Sequence, residues 1–272
     1  MQHYSSSPLS IVRSFWHNRF LISTLIQREI ASKYRGSVMG LLWAFFNPVF
    51  MLLVYTLVFS VVFKARWSAG NDSKSEFALV LFAGLIVFNL FAECIGRAPM
   101  LILANANYVK RVVFPLEILA WVTMGSAFFH ACISLLVWLV AYVVVIGVPH
   151  ISVLWIPLVA LPLVFLTMGV SWALASLGVY LRDISQLIGI VITTLMFLSP
   201  IFYPATALPA NYQFLLFINP LTPVIQMTRD VLFWGKPPDF AVLGLSFAIY
   251  ATVAWLGYAW FQKTRKGFAD VI

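Results

Sequence analysis

Long apolar stretches dominate the chain, and short polar segments separate them. A helix needs about 20 apolar residues to cross a hydrocarbon core about 30 Å thick. The pattern therefore predicts an all-α integral membrane protein with six transmembrane helices. Only Arg182 and Asp183 separate the fourth span from the fifth, so these two spans form a tight hairpin. The predicted spans cover about 39–63, 77–95, 116–147, 152–181, 184–203 and 241–261.

The residues before the first span, 1–38, are predicted to form a cytoplasmic amphipathic interface segment. Ile11, Phe15, Ile22 and Ile26 recur at helical spacing, and basic residues occupy other positions. A basic amphipathic helix with this pattern lies in the plane of the membrane surface. Packing of the same helix on a partner protein is an alternative that does not exclude the first.

The segment between spans two and three, 96–117, is too polar to span and too apolar for a free loop. Gly96, Pro99 and Pro115 mark its ends. A short cytoplasmic helix over about 100–108 would suit docking into a groove of another protein. A helix lying on the membrane without a partner remains the alternative.

The segment between spans five and six, 199–240, carries seven prolines. Two apolar pieces, about 210–218 and 221–233, are each too short to cross and are joined by Asn219-Pro220. We interpret them as re-entrant helices of an outer gate, because irregular backbone at membrane depth needs protein or water beside it. A simple amphipathic cap on the outer leaflet is the alternative.

The composition supports the membrane assignment and excludes several other classes. Apolar residues make up 62% and charged residues 10% of the chain, against about 45–50% and about 25% in soluble domains. Disorder, a nucleic-acid-binding module and a disulfide scaffold are therefore excluded. Cys94 and Cys132 lie in apolar stretches without zinc spacing, so no metal site is predicted.

The distribution of charge gives an orientation. Twelve of the 17 Lys and Arg residues fall in segments that face the cytoplasm when the N-terminus does. Because positive charge accumulates on the cytoplasmic side, both termini are predicted to be cytoplasmic.

The predicted span cores contain no Asp, Glu, Lys or Arg. Glu93 and Glu117 lie near span ends, and His130 is the one titratable side chain near a span centre. Ion-coupled carriers usually need an intramembrane carboxylate, so this class is disfavoured. We interpret His130 as a hydrogen-bonding residue of the bundle and predict no catalytic residue.

The chain has no motif for an energy source of its own. The sequence contains no G-x-x-x-x-G-K-[ST], so a P-loop for ATP is absent. Because the sequence shows neither an ATP-binding motif nor a carboxylate for ion coupling, the protein either needs a partner that supplies energy or acts passively.

A set of short motifs, in order along nearly the whole chain, resembles the membrane subunit of ABC-2 type polysaccharide exporters. That family includes O-antigen, capsule and teichoic-acid export permeases. The matching residues are Arg28, 33–37, Met39, Gly40, Trp43, Asn47, Pro48, 105–119, Arg182, Asp183, 199–204, Asn219, Pro220 and Arg229.

The resemblance implies a homodimer completed by two copies of a separate ATPase subunit in the bacterial inner membrane. ATP and Mg would bind to that partner, so no cofactor is expected in this chain, and no nucleic acid is involved. The implied substrate is a glycan linked to undecaprenyl diphosphate. The segment between spans two and three would couple to the ATPase through Met100, Leu101, Leu103, Asn105, Asn107, Tyr108, Lys110 and Arg111. The outer gate would include Pro209, Asn219, Pro220 and Arg229.

The resemblance also implies a path along the dimer interface, walled by spans one and five. Sugar rings pack on aromatic faces, and seven aromatic side chains lie on these walls: Trp43, Phe46, Tyr55, Phe59, Phe197, Phe202 and Tyr203. Lipid or core contact is the alternative for each of them. Arg28, Lys33 and Arg35 are candidates to hold the lipid diphosphate where it enters, with positive-inside anchoring as the alternative.

The sequence leaves other functions open. The same architecture could move a drug or a lipid, and the motifs favour a glycan only through the resemblance. A membrane transferase lacks an acid–base constellation in the sequence, and a passive channel lacks a recognisable selectivity filter.

Overall fold

The structure is a computed structural model that describes residues 7–58, 74–109 and 114–272. Within these ranges the regular secondary structure is helical and no strand occurs, which confirms the predicted all-α class. The helices are α1 (Pro8–His17), α2 (Arg19–Tyr34), α3 (Trp43–Tyr55), α4 (Lys74–Arg97), α5 (Ala106–Val109), α6 (Ile118–Val145), α7 (Ile156–Tyr180), α8 (Ile184–Leu198), α9 (Phe214–Ile218), α10 (Thr222–Leu232), α11 (Phe240–Thr264) and α12 (Phe268–Val271).

Five helical stretches of the described chain are long and apolar enough to cross a membrane. They correspond to five of the six predicted spans, although residues 59–63 of the first lie outside the described residues. The stretches are Gly40–Val58, Glu76–Met100, Ile118–Val145, Ile151–Tyr180 and Phe240–Val271.

The predicted fifth span, 184–203, is shorter in the structure. Helix α8 has 15 residues and ends at Leu198, so it is about 22 Å long and falls short of a bilayer core. It ends because Ser199 precedes a proline and adopts an extended conformation (φ −78°, ψ 145°). The count of six spans stays a prediction.

The N-terminal segment contains two helices where one was predicted. Helix α1 ends at Asn18, whose side-chain amide and backbone N–H both donate to the Ser14 carbonyl. The predicted apolar face is nevertheless used, because Ile22 is buried against Ile118 and Val122 at the start of α6. Its placement in the membrane interface stays a prediction.

Helix α4 lies at the centre of the bundle and packs against α6, α7 and α10. Helices α7 and α11 cross closely because Gly169 and Gly257 face each other, and a methyl group on either would collide with the opposite backbone. Helices α3 and α8 are peripheral. Ala44 is the single buried residue of α3, and α8 has none. Among the described residues, these two apolar helices pack on the bundle along one side and remain largely exposed on the other.

Candidate functional site

The segment between α4 and α6 is a series of short turns. The sequence predicts a continuous helix over about 100–108, but the chain forms the 3-10 turns Ala98–Met100 and Leu103–Asn105 before α5. Pro99 has no backbone N–H to continue the ladder of α4. The Asn105 side chain then donates to the Leu101 carbonyl over 2.8 Å.

The predicted ATPase-docking residues differ in exposure. Met100 and Asn107 are exposed, whereas Leu101 is buried in the main hydrophobic core. Lys110 and Arg111 lie outside the described residues. Tyr108 stacks on Phe114 with 4.2 Å between ring centroids. The half-buried docking residues are Leu103, Asn105 and Tyr108.

The three predicted diphosphate-binding residues, Arg28, Lys33 and Arg35, line three different cavities. The Lys33 ammonium lies 3.1 Å from a carboxylate oxygen of Glu93. Arg28 lines a cavity of about 180 Å³, and Arg35 one of about 630 Å³. The three cationic side chains therefore do not share one binding site in the structure.

Glu93 is the centre of a polar cluster that sequence reasoning missed. The transmembrane stretch continues to Met100, so Glu93 lies seven residues inside it and not near its end as predicted. The Nδ1 atom of His130 lies 3.0 Å from its carboxylate, and a carboxylate only accepts, so Nδ1 donates. The Tyr34 hydroxyl lies 3.0 Å from Nε2 of the same ring.

The cluster is partly shielded from water. The exposed fractions of the Lys33, Glu93 and His130 side chains are 49%, 21% and 17%. Burial, and to a smaller extent the Glu93 carboxylate, raises the pKa of the Tyr34 phenol. Tyr34 therefore keeps its proton at neutral pH. The only sequence signal for this cluster was the isolated polar residues within apolar runs.

The predicted path-lining aromatic residues form two groups. Trp43, Phe46 and Tyr55 belong to α3, and Phe59 lies outside the described residues. The second group, at the end of α8, consists of Phe197, Phe202 and Tyr203. Phe197 is 62% exposed and its ring lies 5.8 Å from that of Phe202, while the Tyr203 hydroxyl donates to the Phe197 carbonyl. The first group lies on α3, whereas Phe197 lies on α8, and Phe202 and Tyr203 lie in the turn that follows α8.

Helices α9 and α10 lie within the apolar pieces 210–218 and 221–233, although α9 begins only at Phe214, and their role as an outer gate stays a prediction. Between them, Asn219 is buried, accepts from the Leu221 N–H and donates to the Ser199 hydroxyl over 2.8 Å. The Tyr250 hydroxyl donates to the Pro220 carbonyl, whereas Pro209 is exposed. The joint between the two helices is thus tied to the end of α8 and to α11.

Arg229 occupies the core and not the solvent-facing side of the gate. It is 3% exposed. Its guanidinium donates to the carbonyls of Val80 (3.0 Å), Ile201 (2.8 Å) and Pro200. It therefore fastens α10 to α4 and to the turn after α8. The sequence placed Arg229 in this segment but did not indicate its burial.

Residues 21–233, well over half of the chain, match the family described as ABC-2 type transporter. The chain belongs to the ABC-2 type transporter family. This confirms the resemblance drawn from the short motifs.

Three proteins similar to this chain are named for the export or transport of O-antigen or polysialic acid. The "O-antigen export system permease protein RfbA" of Myxococcus xanthus is 26% identical over 97% of this chain and 100% of the relative. Its namesake from Klebsiella pneumoniae is 25% identical over 93% and 95%. The "Polysialic acid transport protein KpsM" of Escherichia coli is 24% identical over 90% and 93%.

Family membership agrees with the absence of an ATP-binding motif from the sequence. The relatives are named as an export system permease and a transport protein, and permease subunits of ABC transporters lack an ATP-binding motif of their own. As an ABC-2 family member, the chain is a multi-pass membrane protein.

Proposed function

We propose that this chain is the permease subunit of an ATP-driven exporter in the bacterial inner membrane. Its substrate is a polysaccharide linked to undecaprenyl diphosphate, such as O-antigen, and both its termini face the cytoplasm. The observation that carries the proposal is the similarity, over nearly the full length, to export permeases for O-antigen and polysialic acid.

A separate ATPase subunit, in two copies, supplies the energy and holds ATP and Mg. The exposed Met100 and Asn107, on the segment that follows α4, are the proposed contact with it. Because this segment continues directly from the central helix α4, a movement of the ATPase would reach the core of the bundle.

A second copy of this chain would cover α3 and α8, the apolar helices that one protomer leaves largely exposed on one side. The aromatic groups on α3 and at the end of α8 would then line a path between the copies. Arg28, Lys33 and Arg35 would attract the lipid diphosphate to the cytoplasmic opening, and α9 with α10 would close the outer end.

Deletion of the gene in its native bacterium tests the proposal. Surface polysaccharide is stained, and lipid-linked polymer is extracted from the inner membrane. The expected result is loss of surface polymer with accumulation of lipid-linked polymer inside, both restored by the wild-type gene. Unchanged surface polymer in the deletion strain would refute the proposal.

The path is tested in the complemented deletion strain. Trp43→Ala and Phe197→Ala, on the two proposed walls, should each reduce surface polymer several-fold at normal protein level. Trp260→Ala is the matched control, because Trp260 is exposed on α11 and away from both walls. Equal export by all three variants would contradict the placement of the path.

A further inference from the structure

A cavity of about 500 Å³ opens between α2, α3, α4 and α6. This volume is within the range of small-molecule sites, about 300–1,000 Å³. The cavity is lined mostly by polar and aromatic side chains rather than by the aliphatic residues typical of a membrane bundle. Its polar lining residues are Lys33, Tyr34, Asn47, Asn89, Glu93, His130 and Ser134, and its aromatic ones include Trp43 and Tyr55.

The polar side chains lie deep within the transmembrane stretches. Asn47, Asn89, Glu93 and His130 are each seven or more residues from either end of their stretch, which is about 10 Å along a helix. Polar groups at such depth are costly against lipid and typically face a water-filled path or a ligand. Asn47 and Asn89 are nevertheless exposed on the protomer surface. The cavity is therefore best explained as part of an aqueous route.

The charges in the cavity compensate each other. The Lys33 ammonium and the Glu93 carboxylate are 3.1 Å apart, and His130 donates to the same carboxylate. A diphosphate here would meet Glu93 as well as Lys33, so the cavity is poorly suited to a strongly charged ligand. Its electrostatics favour a neutral group that both donates and accepts hydrogen bonds.

We propose that this cavity binds a sugar ring of the glycan chain during its passage, a proposal that rests on the proposed function. Sugar hydroxyls would donate to Glu93 and accept from the amides of Asn47 and Asn89. The exposed ring of Trp43 offers an apolar face for the C–H side of the sugar. Binding by neutral hydroxyls suits a site that a polymer must also leave, because such contacts are weak and exchangeable.

The test measures protection of a cysteine in the cavity. The complex with its ATPase is purified in nanodiscs, carrying Met51→Cys in a Cys132→Ala background, because Met51 lines the cavity, is exposed and has no proposed hydrogen bond to the sugar. Cys94 remains, since it is 2% exposed. A water-soluble maleimide is added with and without glycan released by mild acid from the surface of the same bacterium. Lys236→Cys, exposed in the loop before α11 and outside both the cavity and the proposed ATPase contact, is the matched control.

The cavity cysteine should be labelled, and glycan should slow its labelling at least threefold while leaving the control unchanged. Adding Glu93→Gln should abolish that protection, because the amide replaces a strong acceptor without changing the size of the side chain. Absence of labelling in the folded complex, or labelling at equal rates with and without glycan, overturns the proposal. If the deletion strain still lacks surface polymer, such a result leaves the proposed function intact. A deletion strain with normal surface polymer would instead refute the proposed function itself.

Discussion

Replacing Arg229 by methionine should destabilise the outer half of the bundle. Methionine is shorter but unbranched and flexible, so it keeps the apolar stem of the side chain and leaves out the guanidinium. It removes all three hydrogen bonds from the guanidinium to the carbonyls of Val80, Pro200 and Ile201. The substitution thus removes the polar end of the side chain and keeps its apolar stem.

The size of the effect follows from the carbonyls left behind. Val80 lies inside α4, so its carbonyl keeps a helical partner. The carbonyls of Pro200 and Ile201 lie beyond the end of α8 and lose the guanidinium, and an unsatisfied buried acceptor costs about 1–3 kcal/mol. The expected loss is therefore about 2–6 kcal/mol. At about 2–4 °C per kcal/mol for a chain of this size, Tm should fall by about 4 °C or more.

The assay is heating of the detergent-solubilised protein followed by size-exclusion chromatography of the material that remains monodisperse. Arg182→Met is the control, because Arg182 is an exposed arginine in the turn before α8. Arg229→Lys should fall between wild type and Arg229→Met, since one ammonium cannot reproduce the planar fork of a guanidinium. A fall in Tm for Arg229→Met no larger than for the control would show that the buried hydrogen bonds contribute nothing.

Three further predictions concern other parts of the fold. Gly257→Val should sharply lower the yield of folded protein because the side chain collides with α7, whereas Gly244→Val, which meets open space, should be tolerated; equal yields would contradict the close crossing. Glu117→Gln should lower Tm by several degrees, because the guanidinium of Arg265, 2.6 Å away and 10% exposed, loses its counter-charge; Asp183→Asn, in an exposed turn, is its control. Met100→Glu should abolish co-purification of the ATPase while leaving membrane insertion normal, and retained co-purification would move the docking surface elsewhere.

The burial of Arg229 also limits how the outer segment can move. Helix α10 is fixed to α4 through this side chain, while α9 carries the strongly exposed Phe217 and Ile218. If the segment opens as a gate, we expect α9 to move about Asn219-Pro220 while α10 stays in place. A disulfide between α10 and α4 should then leave export intact.

The transmembrane architecture was determined by the sequence to a large extent. Hydropathy and proline act over one or two turns of chain, so five spans and the turn at Arg182 and Asp183 were found at nearly their observed positions. The two helices whose ends were predicted wrongly also have local causes in the sequence. Ser199-Pro200 ends α8 early, and Pro99 breaks the predicted docking helix into turns.

What only the tertiary structure decided is where the polar side chains go. Arg229 donates to a carbonyl 149 residues away, and Glu93 meets Lys33 and His130 at separations of 60 and 37 residues. No local pattern encodes such pairs. The cost of burying a charge is offset only by partners that neighbouring helices present after they have packed. The sequence thus determined which segments enter the membrane and which family the chain belongs to. Helix packing decided that Arg229 is buried in the core and that Glu93 is the centre of a polar cavity.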